Sequence, residues 1–539
     1  MRHSGYDLEN LASFGWVASL AGIGLCTLFL GCVNPTPGPT TPGPTTPTLD
    51  PSLPRDDPAG TENPIQPPPQ DVCASGPSLL LVTIPSAPRP LYPSPRFSWI
   101  GKLAADVAKV CIEQSATLPG EARAQLAAYA ASQGLTTVDA LDCSCEWRIR
   151  PDASPSWLGS DAAAIWNQAG ANPERYAFST TAAASGVSTS VAAGSPRAMF
   201  YALSSALLAS GQPKRIVEAT VVDTPSFRIR GFVEGTYGSV WTKNQRSTLL
   251  QTMGRLRMNT YVYGPKCDCY ATQDRWRDGY PAGAVQDVDP GCGDCSPCQP
   301  VSGDDIREAV RIAEANGIDF IWAVSPFQRS VLRYDREGVT PVLRKIDAMR
   351  AMGVHRFAVF IDDSGGEAGR GNAQDASTHA AVLNDVHRYV ESVEPGAHLL
   401  AVGAGYAFGP DSYTDTLGQN LDPEIEVMWT GPQIVSEVLT VAHFTPVNAS
   451  FRRQVSLWDN WAWEEFFSGH PAGLAQVLTG TYLNPVLSEC VGHPPSTGNQ
   501  WRILGPAADY AWNPERFAAS SAAERTSYDA WAARGEPAP

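Results

Sequence analysis

Asp362 and Asp363 stand side by side after an apolar run, Phe357-Ala358-Val359-Phe360-Ile361, and lead into Ser364-Gly365-Gly366. Two adjacent carboxylates at the end of a buried strand resist double ionisation, because like charges repel in a medium of low dielectric. Their proton affinities separate, so that one side chain holds a proton near neutral pH while the other stays charged. That division suits a general acid beside an electrostatic partner. A retaining glycosidase with a protein nucleophile needs its two carboxylates about 5 Å apart across the sugar bond. Neighbours in sequence supply that geometry poorly. They fit better the substrate-assisted variant, in which the 2-acetamido oxygen of the sugar attacks C1. One carboxylate then orients the amide N–H and the other protonates the leaving oxygen. Taken alone, two aspartates entering a Ser-Gly-Gly loop read as a solvated turn, so the case rests on what surrounds them.

The elements that must position them begin at Phe227. Apolar strands centred near Phe232, Val262, Ile321, Val359, Leu400, Val427, Leu457 and Tyr482 alternate with helical segments. The spacing predicts helices over Asn244–Arg257, Asp304–Asn316, Pro341–Met352 and Ala376–Val390. Eight strands alternating with helices over roughly 290 residues is the size and order of a (β/α)8 TIM-type barrel. In such a barrel the active site lies at the carboxyl ends of the strands. The predicted ends are polar: Glu234, Gly235 and Tyr237; Lys266; Asp362 and Asp363; Tyr406; Trp429 and Thr430; Trp458, Asp459 and Asn460; and Asn484. Together they predict one polar cup.

Before the barrel, residues 73–224 mix short apolar runs with Ala-rich stretches and read as a small α/β domain. Leu79-Leu80-Leu81-Val82 has the look of a strand. Leu103 to Cys111 and Arg197 to Leu208 carry helical spacing, the second after the start signal Gly194-Ser195-Pro196. The fold class is therefore α/β.

Apolar residues make up 43% of the 539-residue chain, which excludes wholesale disorder, and the net charge of −16 with no Lys/Arg run argues against a nucleic-acid partner. Leu11 to Gly31 carries no charge and ends Leu28-Phe29-Leu30-Gly31-Cys32. Residues 1–32 therefore read as a lipoprotein-type signal with a lipidated Cys32, the alternative being an uncleaved membrane anchor. Residues 33–72 form a Pro/Thr-rich linker, with 13 prolines between Val33 and Gln70. Both readings predict an exported, membrane-anchored chain on the periplasmic or cell-surface side. Residues 521–539 read as a C-terminal tail.

Beyond Cys26 and Cys32, ten cysteines remain, an even number that in an oxidising compartment suggests disulfides. Cys267, Cys269, Cys292, Cys295 and Cys298 also have thiolate-ligand spacing that suits zinc. Disulfides are the preferred reading. The eight histidines show no H-E-x-x-H spacing, so no metal or other cofactor is expected.

The ordered motifs also resemble a known family. Arg230-Gly231-Phe232-Val233-Glu234-Gly235-Thr236-Tyr237-Gly238 with Trp241, and Asn259-Thr260-Tyr261-Val262-Tyr263-Gly264-Pro265-Lys266, resemble the first two strands of glycoside hydrolase family 84. These are β-N-acetylglucosaminidases, which include O-GlcNAcase and enzymes once named hyaluronidases. Phe357 to Asp363, Met428 to Pro432, Trp458-Asp459-Asn460, Tyr482 to Pro485 and Ala508 to Pro514 follow in family order. The resemblance runs from Pro225 to Ser520, and the preceding domain resembles the one before the barrel in families 84 and 20. The catalytic domain is accordingly placed at 225–520.

The resemblance implies a retaining exo-β-N-acetylglucosaminidase that works through an oxazoline intermediate on glycans or glycoproteins carrying N-acetylglucosamine. Asp362 would hold and polarise the acetamido group; Asp363 would act as general acid, then as base. Gly235 (through its backbone), Lys266, Asn460 and Asn484 would bind sugar hydroxyls or the acetamido group, with Tyr406 enclosing it. Trp458 reads either as pocket wall or as barrel core. The chain departs from the family at Glu465, where an Asp is usual, at Cys267, where an acidic residue is usual, and at Ala404-Gly405, where Thr-Glu is usual. Glu465 lengthens the reach to the distal hydroxyls by one methylene. A non-catalytic glycan-binding surface protein is the alternative reading of the same cup.

Overall fold

Each of the eight apolar runs after Phe227 forms a strand, and the eight close in chain order into a parallel barrel. The strands are Ile229–Glu234, Thr260–Tyr263, Asp319–Val324, Arg356–Phe360, Leu400–Val402, Glu426–Trp429, Ser456–Ala462 and Gly480–Val486. The eighth closes on the first with Tyr482 opposite Gly231, whose missing side chain makes room for the tyrosine ring. This computed structural model describes residues 79–83, 93–113, 120–138, 144–152, 154–209, 214–235, 237–273, 275–285, 295, 297–326, 339–362, 369–462, 469–486 and 501–519. The expected signal segment, linker and C-terminal tail lie outside the described residues. So do Asp363, Glu465, Cys73, Cys143, Cys292 and Cys490.

Successive side chains of a strand point to opposite faces, and here both faces are buried. Val233, Val262, Phe360, Met428 and Trp458 fill the barrel interior. Their neighbours Phe232, Tyr261, Val359, Val427 and Leu457 pack under the helices. Burial on both sides is why these strands read as continuous apolar runs. The helices Lys243–Arg255, Gly303–Ala315, Thr340–Arg350 and Ala373–Val393 fall where periodicity predicts them. Side-chain caps start several of them, including a capping box between Thr242 and Gln245.

A second sheet of eight strands precedes the barrel, in the order Leu81–Thr83, Phe97–Asp106, Arg215–Asp223, Tyr176–Ala183, Gly186–Ala193, Trp147–Asp152, Lys109–Ile112, Thr136–Thr137. Helix Pro196–Leu208 forms as expected, with the Ser195 side chain accepting from the Ala198 N–H. The helix expected from Leu103 to Cys111 does not. That stretch belongs to strands Phe97–Asp106 and Lys109–Ile112, where Ala104 and Ala105 pair with Val217 and Ile216 and Asp106 forms a two-pronged contact with Arg215. Long-range pairing outweighs the local preference of a Leu-Ala-Ala run.

Trp512, at the end of helix Trp501–Trp512, joins the two layers. Its indole belongs to the apolar core of the first sheet, and the guanidinium groups of Arg230 and Arg257 each lie 4.8 Å from its ring centre. Both arginines are buried and paired with acids of the first domain, Arg230 with Glu174 at 2.7 Å and Arg257 with Asp223 at 2.5 Å. Among the described residues no helix is long and apolar enough to cross a membrane.

Candidate active site

Asp362 lies two residues beyond the fourth strand, and the Ile361 N–H still donates to the Val402 carbonyl at 2.8 Å, which extends the ladder. The alternation that turns Ala358 and Phe360 inward and Phe357, Val359 and Ile361 outward carries Asp362 inward as well. It is only 5% exposed. Lys266, three residues beyond the second strand and 2% exposed, places its Nζ on Asp362 Oδ2. An ammonium in contact with a buried carboxylate favours the charged form. The Lys266 nitrogen also lies 5.8 Å from the centre of the Phe360 ring, which in turn tilts against Trp458 with ring centres 5.2 Å apart.

The opposite wall comes from the seventh and eighth strands. Asn460 and Asn484 are direct partners in register, as are Trp458 and Tyr482. Asn460 Oδ1 accepts from Trp458 Nε1 at 2.7 Å and from Asn484 Nδ2 at 2.8 Å, while its Nδ2 donates to the Ile434 carbonyl at 2.7 Å. Gly235 comes up against the Trp458 indole so closely that only a bare backbone fits. Trp458 is thus both barrel core and a wall that presses the first strand's backbone into the cup.

Tyr406 is buried in the same interior cluster as Phe360 and Trp458, and its carbonyl accepts from Thr430 N at 2.7 Å. Two residues that sequence reasoning missed support its loop. The Tyr413 hydroxyl accepts from the Ala404 N–H at 2.9 Å and shares a 2.9 Å hydrogen bond with His379 Nδ1. Burial pushes His379 down to about 4, so the ring is neutral near neutral pH. Nothing in the local sequence signals this relay, because His379 and Tyr413 sit on different helices.

Three residues of the expected cup do not belong to it. Trp429 follows the inward Met428 and packs outward against Phe444, with ring centres 5.2 Å apart. Glu234 follows Val233 on the opposite face and turns under helix Lys243–Arg255. There Arg246 holds both its oxygens at 2.8 Å and Tyr261 adds its hydroxyl. Asp459 likewise faces outward and meets His470 Nε2 at 3.0 Å. The two-residue period explains all three, since the inward neighbours are Gly235, Met428, Trp458 and Asn460. The structure thus gathers Gly235, Lys266, Asp362, Tyr406, Trp458, Asn460 and Asn484 at the carboxyl end of the barrel.

Of the clustered cysteines, Cys267 pairs with Cys295 and Cys269 with Cys298, which bears out the disulfide preference for these four. Cys111 pairs with Cys145 in the first domain. Among the described residues one trio has metal-ligand spacing, His387, Asp422 and Glu424, whose ligand atoms lie within 4.8 Å of one another. It precedes the sixth strand, at the end of the barrel opposite the cup.

A buried carboxylate held by an ammonium, two carboxamides and an aromatic wall suit a neutral polyhydroxylated ligand that bears an amide. The family model described as beta-N-acetylglucosaminidase matches residues 230–290 and 297–535, more than half of the chain. The chain belongs to this family. Its members are the glycoside hydrolases of family 84, and the match spans every residue gathered in the cup. Protein O-GlcNAcase of Mus musculus is 26% identical over 272 residues, 47% of this chain and 28% of that protein, and its Rattus norvegicus counterpart matches equally. The chain thus spans little more than a quarter of the length of these curated relatives. Two solved structures share the fold. CpGH84B matches with a TM-score of 0.61 and 21% identity, covering 81% of this chain and 73% of that one. CpGH84D matches with a TM-score of 0.62 and 19% identity, covering 82% and 72%.

Proposed function

We propose that this family member is a retaining exo-β-N-acetylglucosaminidase that removes terminal N-acetylglucosamine from glycans or glycoproteins by substrate-assisted catalysis. The observation that carries the proposal is Asp362, buried at the end of the fourth strand and held by Lys266 from the second. A charged carboxylate there can accept the acetamido N–H and raise the nucleophilicity of the acetamido oxygen, which attacks C1. Asp363 protonates the departing oxygen, and later takes a proton from the water that opens the oxazoline. The Gly235 backbone, Lys266, Asn460 and Asn484 bind sugar hydroxyls or the acetamido group, Tyr406 encloses the acetamido pocket, and Glu465 reaches the distal hydroxyls. Export and anchoring through residues 1–32 belong to the same proposal and rest on the sequence alone.

The test is turnover of p-nitrophenyl β-N-acetylglucosaminide beside the matching β-glucoside. The acetamido sugar should be cleaved far faster, because the glucoside lacks the internal nucleophile. Equal rates would contradict acetamido participation. Saturable binding of the acetamido sugar with no turnover would favour the glycan-binding alternative.

A further inference from the structure

We propose that the disulfides Cys267–Cys295 and Cys269–Cys298 form a covalent clip that positions Lys266 against Asp362. The proposal deepens the functional reading above and rests on it for its kinetic consequence. The second strand ends at Tyr263, so Lys266 stands on a turn outside the barrel ladder. A lysine reaches its target through a flexible four-carbon stem, and its ammonium is only as well placed as the backbone that carries it.

That backbone is held from both sides. The Lys266 carbonyl accepts from Thr272 Oγ1 at 2.7 Å and from Gln273 Nε2. The next residue, Cys267, is bonded to Cys295 with Cα atoms 4.9 Å apart, and Cys269 to Cys298 with Cα atoms 5.1 Å apart. Next to the two bonds the segments pair in parallel, with Asp268 bridged to Gln299, the residue after Cys298. Gln299 N donates to the Cys267 carbonyl at 2.8 Å, and Cys269 N donates to the Gln299 carbonyl at 3.0 Å. The Gln299 side chain then grips Val240 in the loop after the first strand, accepting from its N–H at 2.8 Å. Asp268 takes hydrogen bonds from the Tyr263 and Tyr280 hydroxyls, both at 2.7 Å, which ties the segment down to the barrel. Cys267, Cys269 and Cys295 are all buried. The residue after Lys266 is therefore covalently fastened to a second, anchored segment. Among the described residues, the hydrogen bonds that pair the two segments without the disulfides run through Gln299.

The experiment uses the full chain in three double variants, C267S/C295S, C269S/C298S and, as a control in the first domain, C111S/C145S. Lys266 reactivity towards reductive methylation is followed by peptide mass spectrometry, with exposed Lys243 as the internal standard. Loss of either clip bond should raise Lys266 labelling at least about tenfold, and the control should not. On p-nitrophenyl β-N-acetylglucosaminide, kcat should fall on the order of 10- to 100-fold with little change in KM, the scale of a misplacement of about 1 Å. In a Lys266→Ala background the same cysteine changes should cost no further activity, because the clip acts only through that lysine. Unchanged labelling in folded variants, or an undiminished kcat loss in the Lys266→Ala background, would overturn the proposal. If C267S/C295S does not fold, C269S/C298S, which keeps the bond next to Lys266, decides the matter. Absence of wild-type turnover would defeat the functional reading, while labelling would still decide the clip.

Discussion

A β-carbon on Gly235 would lie 2.8 Å from Cζ2 of Trp458 and 2.9 Å from Cγ1 of Val233, so these two strands meet only because residue 235 has no side chain. The indole cannot retreat freely, since its Nε1 is tied to Asn460 at 2.7 Å. Gly235→Ala should therefore cost about 1–3 kcal/mol of stability, the usual range for an extra methyl in a packed core. It should also lower kcat/KM by disturbing Asn460. Adding Trp458→Phe should recover part of the stability. Thermal melts and kinetics on the single and double variants test this, and a neutral Gly235→Ala would mean the contact is slack.

The Lys266–Asp362 pair makes a thermodynamic prediction. Removing one partner of a buried ion pair typically costs about 3–5 kcal/mol, because the remaining charge is left uncompensated. Lys266→Met should destabilise the fold on that scale. Lys266→Met with Asp362→Asn should be more stable than Lys266→Met alone, although both variants are expected to turn over far more slowly than the wild type. Denaturant unfolding distinguishes the cases. A double variant no more stable than the single one would argue that the carboxylate already has another counterion.

His379 gives the fold a pH dependence of defined sign. Its native proton affinity is pushed by burial to about 4 from an ordinary value of 6.5. As pH falls from 6.5 to 4 the unfolded chain takes up a proton that the native ring refuses, so stability declines through that window. Above 6.5 the ring is neutral in both states and contributes no slope. His379→Gln keeps a hydrogen-bond partner for the Tyr413 hydroxyl and does not titrate. Melting temperatures across pH 4 to 7 should therefore decline less steeply in His379→Gln than in the wild type. Parallel declines would place the slope on other groups.

Much of the barrel was legible because each strand is a short apolar run set between polar ends and followed by a 3.6-residue pattern. The same burial on both faces hid which polar end residues turn inward. Val233, Glu234 and Gly235 read alike as a strand end, and only closure of the barrel assigns Glu234 to Arg246 and Gly235 to the cup. Leu103 to Cys111 misled for a related reason, since its strands exist through partners distant in sequence, Arg215–Asp223 for the first and Trp147–Asp152 for the second. The cysteine spacing left zinc and disulfides both open, because connectivity depends on which segments the fold lays side by side. The stack of Arg230, Trp512 and Arg257 was invisible for the same cause.

The most direct test of the central claim compares Asp362→Ala and Asp363→Ala across aryl and alkyl β-N-acetylglucosaminides of graded leaving-group ability. Asp363→Ala removes the proton donor, so kcat/KM should fall little for a dinitrophenyl group, which leaves as a stable anion, and much for an alkyl alcohol. The difference should approach the roughly 10²–10⁴-fold that general acid catalysis supplies. Asp362→Ala disables the internal nucleophile that every substrate needs, so its loss should be similar throughout the series. A steep leaving-group dependence in Asp362→Ala alone, or the same dependence in both variants, would contradict the assigned roles.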